Sequence, residues 1–190
     1  MEDVEIWTTE RLLDAERSDT RLKFVFFWGH TPARHDGQIG THVLSQWWNH
    51  PFQVGRVGYP TAEHFMMAEK ARLFGDEQRL AEILAATSPG AAKAAGRRVV
   101  GFDEAVWCDN RVEIVTRGSV AKFSSSPDLR RFLLGTGDRV LVEASPRDRV
   151  WGIGLDEHHP DAPYPSRWRG LNLLGLALMR ARAILRAEPT

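Results

Sequence analysis

The chain has 190 residues, 43% hydrophobic and 26% charged, with 25 basic and 25 acidic side chains in formal balance; this predicts one globular domain with a full core. Zero net charge argues against a protein that holds nucleic acid mainly by bulk electrostatics. A single cysteine, Cys108, excludes an internal disulfide framework, and the absence of an apolar leader or membrane-length stretch gives a cytoplasmic expectation with no membrane partner.

Residues 4–16 predict a short amphipathic helix, so 1–22 read as an arm and 23–187 as a single domain. KFVFFWG at 23–29 is β-branched and aromatic and predicts a strand. GHTPARHDGQIG, at 29–40, is a loop by its breakers and could serve as a flap. VLSQWWN and PFQV follow, and GRVGYP reads as a turn. Trp47 and Trp48 are adjacent and cannot share a face of a regular element. Either one packs while the other stacks on a ligand, or both pack on opposite sides of a small sheet.

PTAEHFMMAEKARLFGD, at 60–76, predicts a helix capped by Thr61 and stopped at Gly75. Ala62, Met66, Met67, Ala71, Leu73 and Phe74 share its apolar half; His64, Glu69 and Arg72 lie opposite. Glu63 and Lys70 break the pattern. Seven residues apart, they project within roughly 20° of each other, into the middle of the apolar arc. A carboxylate and an ammonium aimed at a core are costly unless paired or lining a cavity, so a site is expected there. Lysine is also scarce: the chain has four, against 21 arginines, and an amine can lose its proton and attack where a guanidinium cannot.

Two short helices are expected at 77–86 and 88–95, the second ending in the cations Lys93, Arg97 and Arg98. A longer helix at 103–123, capped by Asp103, carries Arg111 and Lys122 inside its apolar arc, about 20° apart. Two cations in one buried direction need an anion, either a phosphate or a protein carboxylate such as Glu63 or Asp148. SPDLRRFLLGTG reads as a capped helix, and RVLVEAS, at 139–145, as the clearest strand, with Val140, Val142 and Ala144 on one side. It leads into PRDRVWGIGLD, where Asp148, Trp151 and the flexible Gly152 and Gly154 form a candidate binding loop. His158, His159 and Asp161 lack metal-ligand spacing, so no metal is expected. Gly170 and Asn172 open a last, largely apolar helix whose N-terminus could meet phosphate.

SQWW at 45–48, YPTAEHFMMAEKARLFGD at 59–76, AAKAAGRRVVGFD at 91–103, Trp107, AKF at 121–123, LVEASPRDRVWGIGL at 141–155 and WRGLNLLGLALM at 168–179 together resemble the NADAR (YbiA-like) family. The resemblance covers nearly everything after residue 23 and implies an α+β, helix-rich domain around a small, mainly antiparallel sheet. It also implies N-glycosidase activity without cofactor or metal. Some members cleave early riboflavin-pathway intermediates to ribose 5-phosphate and a free aminopyrimidine, and others remove ADP-ribose from guanine. The expected partner is therefore a small phosphorylated N-riboside, with ADP-ribosylated guanine in nucleic acid as the alternative. A non-catalytic ADP-ribose or nucleotide reader is the rival from another class. Glu63, Lys70 and Asp148 are the expected catalytic residues, with Lys70 either orienting Glu63 or attacking the anomeric carbon. Trp47, Trp48 and Trp151 are candidates to stack the heterocycle. Lys93, Arg97, Arg111 and Lys122 are candidates for phosphate, and Gly152 and Asn172 for further substrate contacts.

Overall fold

The computed structural model describes residues 8–32 and 38–188. The start of the expected N-terminal helix and the middle of the expected flap lie outside the described residues. The chain runs through α1 (Thr9–Arg17), β1 (Phe24–Phe27), a 3-10 turn (Thr41–Leu44), β2 (Phe52–Val54) and β3 (Val57–Tyr59). Four helices follow: α2 (Ala62–Leu73), α3 (Glu77–Leu84), α4 (Pro89–Gly96) and α5 (Glu104–Ser124). After them come α6 (Pro127–Gly135), β4 (Val140–Glu143), a loop with one 3-10 turn (Pro165–Arg167) and α7 (Leu173–Ala187).

Local chemistry sets most helix starts. Thr61, Asp76, Ser88 and Asp103 each turn a side-chain oxygen onto the N–H three residues on, satisfying a donor that has no partner inside the helix. Pro89 and Pro127 occupy first turns, where a missing N–H costs nothing.

The α+β class is as expected, but the strands form two separate pairs. β1 and β4 are parallel, with Phe24 opposite Val140 and Phe27 opposite Glu143. β2 and β3 form an antiparallel hairpin, so the segment read as a turn supplies its second strand. Parallel pairing needs a long crossover that covers the sheet, and here the crossover contains α2 to α6. Val140, Leu141 and Val142 are fully buried, as a covered strand requires.

α2 is more central than its pattern indicated. Every residue from Ala62 to Ala68 is buried, because α3, α4 and α5 all pack on it. His64, expected on the polar side, is satisfied internally: its ring nitrogens meet Thr61 Oγ1 at 2.8 Å and the Ala86 carbonyl at 3.1 Å. Close approach depends on two glycines. A Cβ on Gly96 would collide with Met67, and one on Gly118, in the middle of α5, with the Phe65 ring.

Candidate active site

The site forms where the first turn of α2 meets the C-terminal end of β4. Glu63 is only 2% exposed, its N–H donates to the Gln46 carbonyl at 3.0 Å, and its Oε1 is buried without a hydrogen-bond partner. Burial pushes its carboxyl up to about 7; Lys93, a hydrogen bond from Trp47 and Arg97 pull it down, while the Asp148 charge pushes it further up. Glu63 and Asp148 are therefore within electrostatic reach of each other, and Lys93 and Arg97 of α4 are the nearby cations.

The loop after β4 is wound tightly around Asp148. The Asp148 N–H donates to Ser145 Oγ at 3.1 Å, and Asp148 Oδ1 accepts the N–H groups of Val150 and Trp151, both at 2.8 Å. One carboxylate oxygen thus shapes the loop. Gly152 is required for packing within the protein: a Cβ there would lie 2.8 Å from the Glu143 carbonyl and 3.0 Å from that of Asp148. The half-buried Trp151 packs against the core.

The two adjacent tryptophans divide. Trp48 stacks on His50, with ring centroids 5.1 Å apart and planes 3° from parallel, and packs against the core. Trp47 stands at the carboxylates, with His30 5.9 Å from its ring and the Lys93 amine 5.7 Å away.

Several expected site residues lie elsewhere. Lys70 points to a different place: its amine is 4.1 Å from the centre of the Phe102 ring and 5.6 Å from that of Trp107, and it is not among the charges that shift Glu63. A seven-residue helical spacing aligns two directions but separates the residues by about 10 Å along the axis. Lys122 is 1% exposed and donates to the Ser45 carbonyl at 2.8 Å, which puts its amine behind the segment carrying Trp47. Burial lowers that amine to about 7. Arg111 is half-buried, with its Nε unpartnered. The Asn172 side chain is committed to β4: its Oδ1 accepts the Glu143 N–H and its Nδ2 donates to the Leu141 carbonyl, each at 3.0 Å.

The residue that the sequence reading missed is Glu143. It ends β4 on the face opposite Val140 and Val142, and its Oε2 is buried without a hydrogen-bond partner. Burial pushes its carboxyl up to about 8; Asp148 and Glu63 push the same way and Lys93 opposes them. The available signal was an acid inside an otherwise apolar strand, just before the binding loop. A cavity of about 470 Å³ adjoins the end of β4, lined by Phe26, Trp28, Ile39, His42, Ala144 and Asp156 among others; its described lining contains none of the three carboxylates. Among the described residues no cluster of metal-ligand type is present and no helix is long and apolar enough to cross a membrane.

The NADAR domain pattern matches residues 26–186. The chain belongs to the NADAR family. An N-glycosidase of Acanthamoeba polyphaga mimivirus is 41% identical over 165 residues, covering 84% of this chain and 95% of the viral one. The N-glycosidase YbiA of Escherichia coli is 31% identical over 138 residues, 73% of this chain and 78% of YbiA. The solution structure of Escherichia coli YbiA superposes with a TM-score of 0.66 at 26% identity, covering 90% of this chain and 92% of YbiA. A maize chloroplastic protein, riboflavin biosynthesis protein PYRR, is 37% identical over 132 residues, 66% of this chain but only 19% of the maize protein. Membership of the NADAR family places the chain among hydrolases of N-glycosyl bonds.

Proposed function

We propose that this protein hydrolyses the C–N glycosidic bond of a phosphorylated N-riboside carrying an aminopyrimidine, releasing ribose 5-phosphate and the free base. The observation that carries this reading is the convergence of Glu63 and Asp148, from elements distant in sequence, beside Lys93, Arg97 and Trp47. Breaking an N-riboside needs stabilisation of an oxocarbenium-like sugar, protonation of the departing base and an activated water. The carboxylates supply negative charge under the sugar, Trp47 supplies a flat face for the heterocycle, and Lys93 and Arg97 are the cations available to the phosphate. This chemistry requires no metal or cofactor. The buried, partly unsatisfied Glu63 also favours catalysis over binding alone, since a nucleotide reader gains nothing from a carboxylate held against solvation. The name of the maize relative, which refers to riboflavin biosynthesis, supports the aminopyrimidine as the leaving base.

The test is incubation with a phosphoribosylaminopyrimidine and, separately, with ADP-ribosylated guanosine, followed by mass detection of the released base. Release from the first supports the reading. Release from the second alone replaces the substrate while keeping the bond, and release from neither removes the activity.

A further inference from the structure

Glu63 and Glu143 form a pair that the reaction as proposed above does not yet use fully. They come from the start of α2 and the end of β4, they lie in each other's electrostatic field, and each has one oxygen buried with no hydrogen-bond partner. Glu143 is held from both sides by its backbone: its N–H donates to Asn172 Oδ1 at 3.0 Å and its carbonyl accepts the Ile153 N–H at 2.9 Å. The groups facing it are the carboxylates of Glu63 and Asp148 and the ammonium of Lys93. Three carboxylates against the Lys93 ammonium and, on the Glu63 side, the Arg97 guanidinium leave one excess negative charge in a buried place, and binding one proton removes it. A carboxylic acid, unlike a carboxylate, can donate a hydrogen bond.

We propose that Glu143 is the general acid of this site, sharing one proton with Glu63 and delivering it to the departing base. This rests on the reading of the protein as an N-glycosidase. The Glu143 carboxyl gives its proton to the base as the C1′–N bond breaks, and the bonding electron pair stays on nitrogen. Water adds through oxygen to C1′, and its proton goes to the Glu63 carboxylate. Transfer of that proton from Glu63 back to Glu143 restores the starting pair, so each turnover consumes one water and no other reactant. The raised carboxyls of Glu63 and Glu143, near 7 and 8 respectively, fit a base and an acid operating together around neutrality.

Leaving-group dependence tests the assignment. A p-nitrophenyl riboside 5-phosphate loses its aglycone without protonation, whereas an aminopyrimidine riboside requires an acid. Glu143→Gln is expected to lower kcat on the aminopyrimidine substrate by on the order of 10²–10⁴-fold and on the nitrophenyl substrate by less than about tenfold. Glu63→Gln should depress both. Equal losses on both substrates in Glu143→Gln, or no loss on either, would overturn the acid role while leaving N-glycosidase activity standing. Carboxyl-labelled NMR supplies a readout that needs no substrate. Glu143 should be protonated at pH 7 in the wild type, and an ordinary ionised signal there overturns the proposal whatever the substrate. Wild-type protein that cleaves no N-riboside overturns the functional reading and the acid role with it.

Discussion

At the scale of single residues, the site is controlled by how its carboxylates are desolvated. Glu63 sits at a helix N-terminus, where the backbone dipole favours the anion, yet burial outweighs this and raises its carboxyl to about 7. A base limb near pH 7, from ionising Glu63, and an acid limb near pH 8, from deprotonating Glu143, should therefore bound kcat against pH. On a nitrophenyl substrate, which needs no acid, both wild type and Glu143→Gln should show the limb near 7 without the alkaline limb; an alkaline limb persisting in Glu143→Gln would show that some other group titrates there. Lys70 gives a contrasting prediction. Its amine is half-buried, and burial pulls its pKa down, which favours the neutral nucleophile. But the amine lies against Phe102, away from the carboxylates. Borohydride added during turnover should leave Lys70 without a sugar adduct, and Lys70→Arg should keep most of the activity. A reduced adduct at Lys70 would show that the side chain swings to the sugar.

Elements are where sequence reading succeeds and fails for definite reasons. α2 was legible because its signals are local: the Thr61 side chain caps it, and Gly75, at φ +68°, ends it. Strand partnership was not legible, since the pairing of β1 with β4 depends on the path of five intervening helices, and residues 57–59 become a strand only by pairing with 52–54. For β4 the alternation drew attention to its valine face and hid Glu143 on the other. Asn172 looked like a ligand contact, but it holds the loop-to-α7 junction against β4. It does so in a left-handed conformation at φ 52°, which asparagine tolerates better than most residues. Asn172→Ala loses both bonds to β4 and gains backbone strain, a destabilisation of about 2–4 kcal/mol. Asn172→Gly loses the bonds alone and should fall between the two. Urea midpoints in the order wild type, Gly, Ala support this account, whereas a Gly variant as stable as wild type would mean that the side-chain bonds contribute nothing. Gly175 in α7 allows the same close contact, because a Cβ there would collide with the Leu141 carbonyl and the Asn172 side chain.

At the scale of the whole molecule, the buried ionisable groups make stability depend on pH in two opposed windows. Glu143 titrates near 8 in the folded chain against 4.5 as its ordinary value. Between those values the folded state holds a proton that the unfolded state has lost, so the stability this group contributes is full below about pH 4.5 and is lost as pH rises through about 8. Lys122 behaves oppositely: its amine titrates near 7 when folded against 10.5 ordinarily, so the unfolded chain holds the extra proton and stability rises with pH across that range. Each group contributes a slope of about 1.4 kcal/mol per pH unit inside its window. Histidines 42, 50 and 64, all lowered by burial, titrate below pH 6.5, so differences between wild type and variant isolate the groups of interest. The advantage of Glu143→Gln over wild type in unfolding free energy should grow from pH 5 to 8. Lys122→Met gives up the bond to Ser45 but removes a buried ionisable group, and its standing relative to wild type should decline from pH 7 to 10, because the cost of deprotonating the wild-type amine on folding falls as pH rises toward 10.5. Parallel stability curves for wild type and Lys122→Met across that range would mean that the amine is already solvated in the native protein.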